Sequence, residues 1–76
     1  MRYKIEYISP IKDFIFQPVA YWLYSSAKED FDLAKVYMVH LKEIRLLKWS
    51  LSKDEYQLLE VYKFDAQNNL AYKKNP

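Results

Sequence analysis

From Arg2 to Tyr7 polar and apolar residues alternate, with Tyr3, Ile5 and Tyr7 on one side and Arg2, Lys4 and Glu6 on the other. A period of two marks a strand with one buried face and predicts a first strand over 1–8. Ser9-Pro10 breaks it, because proline lacks an N–H and biases the residue before it towards extended or turn geometry. Asp13 completes a turn-like cluster.

The next stretch, FIFQPVAYWLY over 14–24, reads in two ways. As a strand it places Val19, Tyr21 and Leu23 on one face and Ala20, Trp22 and Tyr24 on the other. As a helix it would carry Pro18 at its first position, where a missing N–H costs nothing. Ala20, Tyr24, Ala27, Phe31, Ala34, Met38 and Leu41 then follow an unbroken 4-3-4-3-4-3 spacing. The aromatic and β-branched enrichment favours a strand over 14–24, which makes Pro18 the mark of an edge strand or a bulge. SAKE at Ser26–Glu29 has the form of a capping box, so the helix is expected over 27–42. Its buried stripe is Ala27, Phe31, Ala34, Met38 and Leu41, with Lys28, Lys35 and Lys42 recurring every seven residues along the border. Glu29 and Asp30 near its start and Lys42 near its end match the helix dipole.

Strand signals return over 44–51. Ile44 and Leu46 alternate, and then Leu47, Trp49 and Leu51 alternate in the opposite phase. That slip means a bulge or a strand covered on both faces. Ser52 to Glu55 could cap a helix, but Tyr56, Leu58, Leu59, Val61, Tyr62 and Phe64 would surround a helix without forming a stripe. A turn followed by a strand over 56–64 is the better reading. Asp65 to Asn69 makes a loop in which Asn tolerates positive φ. A short strand over 70–73 and a fraying tail complete the chain.

The order ββαβββ predicts a single α+β domain, an antiparallel sheet of about four to five strands with one helix on one face. Seventy-six residues lie near the low end of what folds alone, where only about 60% of the unfolded surface is buried. The absence of cysteine removes disulfides and thiolate metal sites, and a single histidine argues against structural zinc. Dense packing or self-association is left to stabilise the fold.

Candidate chemistry is sparse. Nucleophilic catalysis needs a base beside the nucleophile, and His40, on the flank opposite the stripe, has no Ser25 or Ser52 spacing to recommend it. Without glycine there is no phosphate-cradling glycine loop. The pattern implies neither an enzyme nor a cofactor. Net charge is +2 and lysine outnumbers arginine ten to two, which disfavours sequence-specific nucleic-acid recognition. A lysine ridge of Lys28, Lys35 and Lys42, extended by Arg2, Lys4, Lys73 and Lys74, is the basis for an alternative reading as a weak, sequence-tolerant nucleic-acid binder.

Fourteen aromatics exceed what one helix and a small sheet can hide. Trp22 and Tyr24 would lie on the sheet face away from the helix, with Trp49 as a third contact residue. Tyrosine and tryptophan dominate interface hot spots, so the expectation is a small protein-interaction module. It would act as a regulator or inhibitor of a larger assembly, of the kind phages and mobile elements encode. A second copy of the chain is the other candidate partner. No secretory leader or membrane-spanning run is read, which makes a cytoplasmic location the expectation.

Overall fold

A computed structural model describes residues 2–12 and 14–64. Strands β1 (Tyr3–Ile8), β2 (Val19–Tyr21), β3 (Glu43–Ser50) and β4 (Glu55–Lys63) surround helix α1 (Tyr24–Tyr37) in the order ββαββ. The described strands form one sheet ordered β2-β1-β3-β4, and every neighbouring pair is antiparallel. Because β2 and β3 both run against β1, they are parallel to each other. Helix α1 is therefore the crossover of a split β-α-β unit, lying on one face of the sheet. The α+β class, the single small domain and the helix on one face are as the hydrophobic pattern predicts. The expected strand over 70–73 and the loop before it lie outside the described residues.

The core lies between α1 and the sheet. Ile5, Ile44 and Leu46 face Ala27, Phe31 and Ala34, and Leu41 and Phe64 close the ends. Tyr3, Tyr7, Tyr21, Met38 and Tyr62 ring this cluster, half-buried. A helix rich in alanine at the contact stripe lets its backbone approach the sheet closely, so that Phe31 fills the centre.

Three expectations need correction. The strand predicted over 14–24 is broken, with an isolated bridge from Ile15 to Ile8 and only Val19–Tyr21 pairing as β2. Phe16 N–H donates to Tyr7 O, while Val19 is the partner of Ile5. Gln17 and Pro18 therefore stand opposite Glu6 alone, the bulge that a proline without an N–H imposes on an edge.

The helix expected over 27–42 begins at Tyr24 and ends at Tyr37. Ser26 is not its cap, since Leu23 occupies that position with no side-chain capping bond, and Glu29 and Asp30 fall beyond the first turn. Packing overrides cap chemistry here. The Tyr24 ring, itself exposed, meets Tyr3 edge-on at 5.7 Å and anchors the first turn to β1. At the other end Lys42 N–H donates to Ile8 O, drawing the chain back to the sheet and leaving Leu41 to enter the core from a turn. Lys42 and the exposed His40 thus lie after the helix, outside its last turn.

The phase slip at Leu46-Leu47 has a double origin. Pairing of β1 with β3 runs unbroken from Glu43 to Lys48, so β3 itself stays regular and carries apolar residues on both faces. The register shift lies in β4, where Leu46 partners Glu60 and Leu47 partners Leu58, so that Leu59 is the extra residue. The rejected helix at Ser52 to Glu55 is a turn, with Asp54 at φ 53°.

Candidate functional site

Alternation in β1 and β3 sends Ile5, Ile44 and Leu46 towards α1 and leaves Lys4, Glu6, Arg45, Leu47 and Trp49 on the other face. The register adds Tyr56, Leu58, Val61 and Lys63 from β4 to that second face. Among the described residues no helix covers it. Its centre is aliphatic: Leu47, Leu58 and Val61 sit in a shallow groove of about 330 Å³ bordered by Glu43, Arg45 and Lys63. Leu58 and Val61 remain 54% and 40% exposed. Towards the end of β3 the Trp49 and Tyr56 rings meet edge-on with centroids 5.0 Å apart, and Lys4 Nζ stands 4.2 Å from the Tyr56 centroid.

Lys4, Glu6, Arg45 and Glu43 on this face form a connected set of ion pairs. Lys4 pairs with Glu6 at 3.4 Å, and Arg45 reaches Glu6 at 3.8 Å while binding Glu43. The face thus has an apolar centre and a polar border that carries both signs of charge.

The predicted contact residues are not brought together on this face. Trp49 lies on it, half-buried. Trp22, 65% exposed, lies in the bend between β2 and α1, and Tyr24 is the first residue of the helix with its ring against Tyr3. Both were expected on the uncovered face, and the early end of β2 at Tyr21 takes them off it. Leu47, Tyr56, Leu58 and Val61 were not foreseen as contact residues. The opposite phase of Leu47 and Trp49 was the signal that pointed to them.

The lysine ridge is divided. Lys28 and Lys35 both reach across to β4, where Lys28 Nζ lies 2.8 Å from Glu60 Oε1 and Lys35 Nζ 3.2 Å from Glu60 Oε2. Asp32 Oδ1 joins them from the helix itself, at 3.1 and 3.2 Å. The hydrogen bond from Lys28 holds the Glu60 and Asp32 carboxyls below the usual range, and bonding to Glu60 and then Asp32 raises Lys28. Both ammonium groups lie over the Phe31 ring, at 5.4 and 5.0 Å, so this cluster seals the core edge. Lys42, half-buried in the turn after α1, stands apart from it.

On the opposite flank Tyr21 Oη donates to Asp30 Oδ2 at 2.6 Å and ties β2 to α1. Burial first, and then this bond, pushes the Tyr21 hydroxyl far above its ordinary 10.0. Burial also raises the neighbouring Tyr7. Two hydroxyls that hold their protons this firmly are poor general bases near neutral pH. Among the described residues no group of three or more His, Asp or Glu side chains is placed to hold a metal ion, and no helix is long and apolar enough to cross a membrane.

Comparison of the chain with protein-family models, with curated proteins and with solved structures found no match.

Proposed function

We propose that the chain is a non-catalytic protein-interaction module, a regulator or inhibitor of a larger assembly, which docks its partner on the sheet face away from α1. The carrying observation is the groove of half-buried Leu47 and exposed Leu58 and Val61, continued by the Trp49–Tyr56 pair, on a face without a covering helix among the described residues. Contiguous apolar surface of this kind marks interaction sites. Its border of Glu43, Arg45 and Lys63 presents both signs of charge, which favours register over general electrostatic attraction. The helix lysines lend less to a nucleic-acid reading, because Lys28 and Lys35 are engaged by Asp32 and Glu60.

Affinity capture from the source cells, followed by measurement of the purified pair, tests the proposal. Trp49→Ala and Leu58→Asp should each weaken the complex by roughly thirtyfold or more, the loss expected of a hot-spot side chain. The double variant Lys28→Gln/Lys35→Gln should leave affinity within about threefold of the parent. A complex lost with the lysine variant and kept by the two face variants would overturn the docking surface. Amide NMR spectra of each variant separate lost contact from lost fold.

A further inference from the structure

A second groove, of about 350 Å³, lies at the end of the sheet where β1 begins and β3 ends. Trp49 N–H donates to Arg2 O at 2.7 Å and brings these strand ends together. Arg2, Lys48, Ser50, Ser52 and Gln57 line the groove together with the apolar Trp49, Leu51 and Leu59. Ser50 Oγ and Ser52 Oγ stand 3.2 Å apart, and Lys53 N–H reaches Ser50 Oγ at 3.3 Å, which fixes the hairpin turn against the groove.

Two basic side chains meet at this groove. Lys4, Lys28, Lys35 and Arg45 each have a carboxylate within ion-pair distance. Among the described residues Arg2 and Lys48 have none, although they line one concavity and Lys48 is half-buried on β3. Two like charges that line one concavity, one of them partly removed from water, are well placed to share an anion between them. Hydroxyl and amide groups beside them supply neutral donors, and Arg adds a planar fork suited to two oxygens at once. Asp54 and Glu55 follow on the same hairpin but do not line the groove.

We propose that this groove binds an oxyanion, a phosphoryl group or a carboxylate, through Arg2 and Lys48 with the Ser50 and Ser52 hydroxyls as auxiliary donors. The groove adjoins the docking face and shares Trp49 with it, while the sheet register places Lys48 beside Tyr3, on the α1 side, away from the Leu47 groove.

The test is amide NMR on the full chain, titrated separately with inorganic phosphate, sodium acetate and sodium chloride at matched ionic strength. Saturable shifts at Ser50 to Lys53 are expected, weakened about tenfold by Lys48→Gln or Arg2→Ala through loss of a charge-assisted contact. Lys63→Gln, outside the groove, should bind as the parent does. Saturation by phosphate alone assigns the groove to phosphoryl groups, and saturation by acetate assigns it to carboxylates. Shifts that follow chloride in every arm, or a loss with Lys63→Gln equal to that with Lys48→Gln, would overturn the site in favour of diffuse surface charge.

Discussion

Leu23 shows how single positions in this chain answer to packing before local chemistry. It holds the N-cap of α1 in extended geometry, φ −108° and ψ 138°, yet offers no side-chain acceptor to the first-turn N–H groups. Ser26, the residue with cap chemistry, lies inside the first turn because Tyr24 is drawn onto Tyr3. The backbone at Leu23 already suits a capping side chain, and Leu23 is largely exposed. Leu23→Asp should therefore stabilise the protein by about 1 kcal/mol, read as a raised urea midpoint with an unchanged slope. An unchanged or lowered midpoint would show that the Leu23 side chain contributes more by burial than a cap would. The recurrence of Tyr24 in the 4-3 spacing was visible in the chain. Its priority over SAKE was not, since both are local signals and only contact with Tyr3 ranks them.

At the scale of elements, α1 is fastened at both flanks by polar contacts to strands distant in sequence. Tyr21 and Asp30 hold β2, while Lys28, Lys35 and Asp32 hold β4 through Glu60. The Glu60 and Asp32 carboxyls are held below their ordinary 4.5 and 3.8. A group whose folded value is lowered contributes stability that is complete above the unfolded value and is lost as pH falls through the folded one. The cluster thus supports the fold at neutral pH and fails in acid. Glu60→Gln should lower the urea midpoint at neutral pH, with parent and variant converging as pH drops below about 4. The gap should also narrow in high salt, because the cluster is solvent-accessible and screened. A gap that stays constant from neutral to acid pH would show that Glu60 acts by packing alone. Lysines at a seven-residue interval were legible as a helix border. Their carboxylate on β4, 25 and 32 residues away, was not, because no local pattern encodes a long-range partner.

For the whole molecule, one small core carries the fold. A 76-residue chain is expected to have a total stability of roughly 4–11 kcal/mol. Phe31 is fully buried at the centre, between Ala27, Ala34 and the strands, beneath the Lys28 and Lys35 ammonium groups. Phe31→Ala should cost about 3–5 kcal/mol, a large share of that total, and circular dichroism on heating should show a strongly lowered or lost transition. A cost below about 1 kcal/mol would mean that the core collapses onto the vacated space. The same scale explains the sheet face that no described helix covers. One helix can cover only one side of four strands, and β3 carries Leu47 and Trp49 opposite Ile44 and Leu46. That surplus of apolar positions is the surface on which the proposed docking rests.

Periodicity in the chain was enough for β1, β3, β4, the helical stripe and the α+β class, because a period of two or of 3.6 is imposed by backbone geometry within a few residues. The buried side of α1 followed from the same rule. Tertiary contact decided the rest: the early end of β2 at Tyr21, the start of α1 at Tyr24, its end at Tyr37, and the bulge at Leu59. The last three limits are set by a partner brought in from elsewhere in the chain, Tyr3 for the start of the helix, Ile8 for the return to the sheet, and β3 for the shift in β4. The candidate contact face followed the same division. Trp49 was legible by residue type, whereas Leu47, Leu58 and Val61 became one groove only when antiparallel pairing set β3 beside β4, since the energy of that pairing depends on residues that no short stretch of sequence brings together.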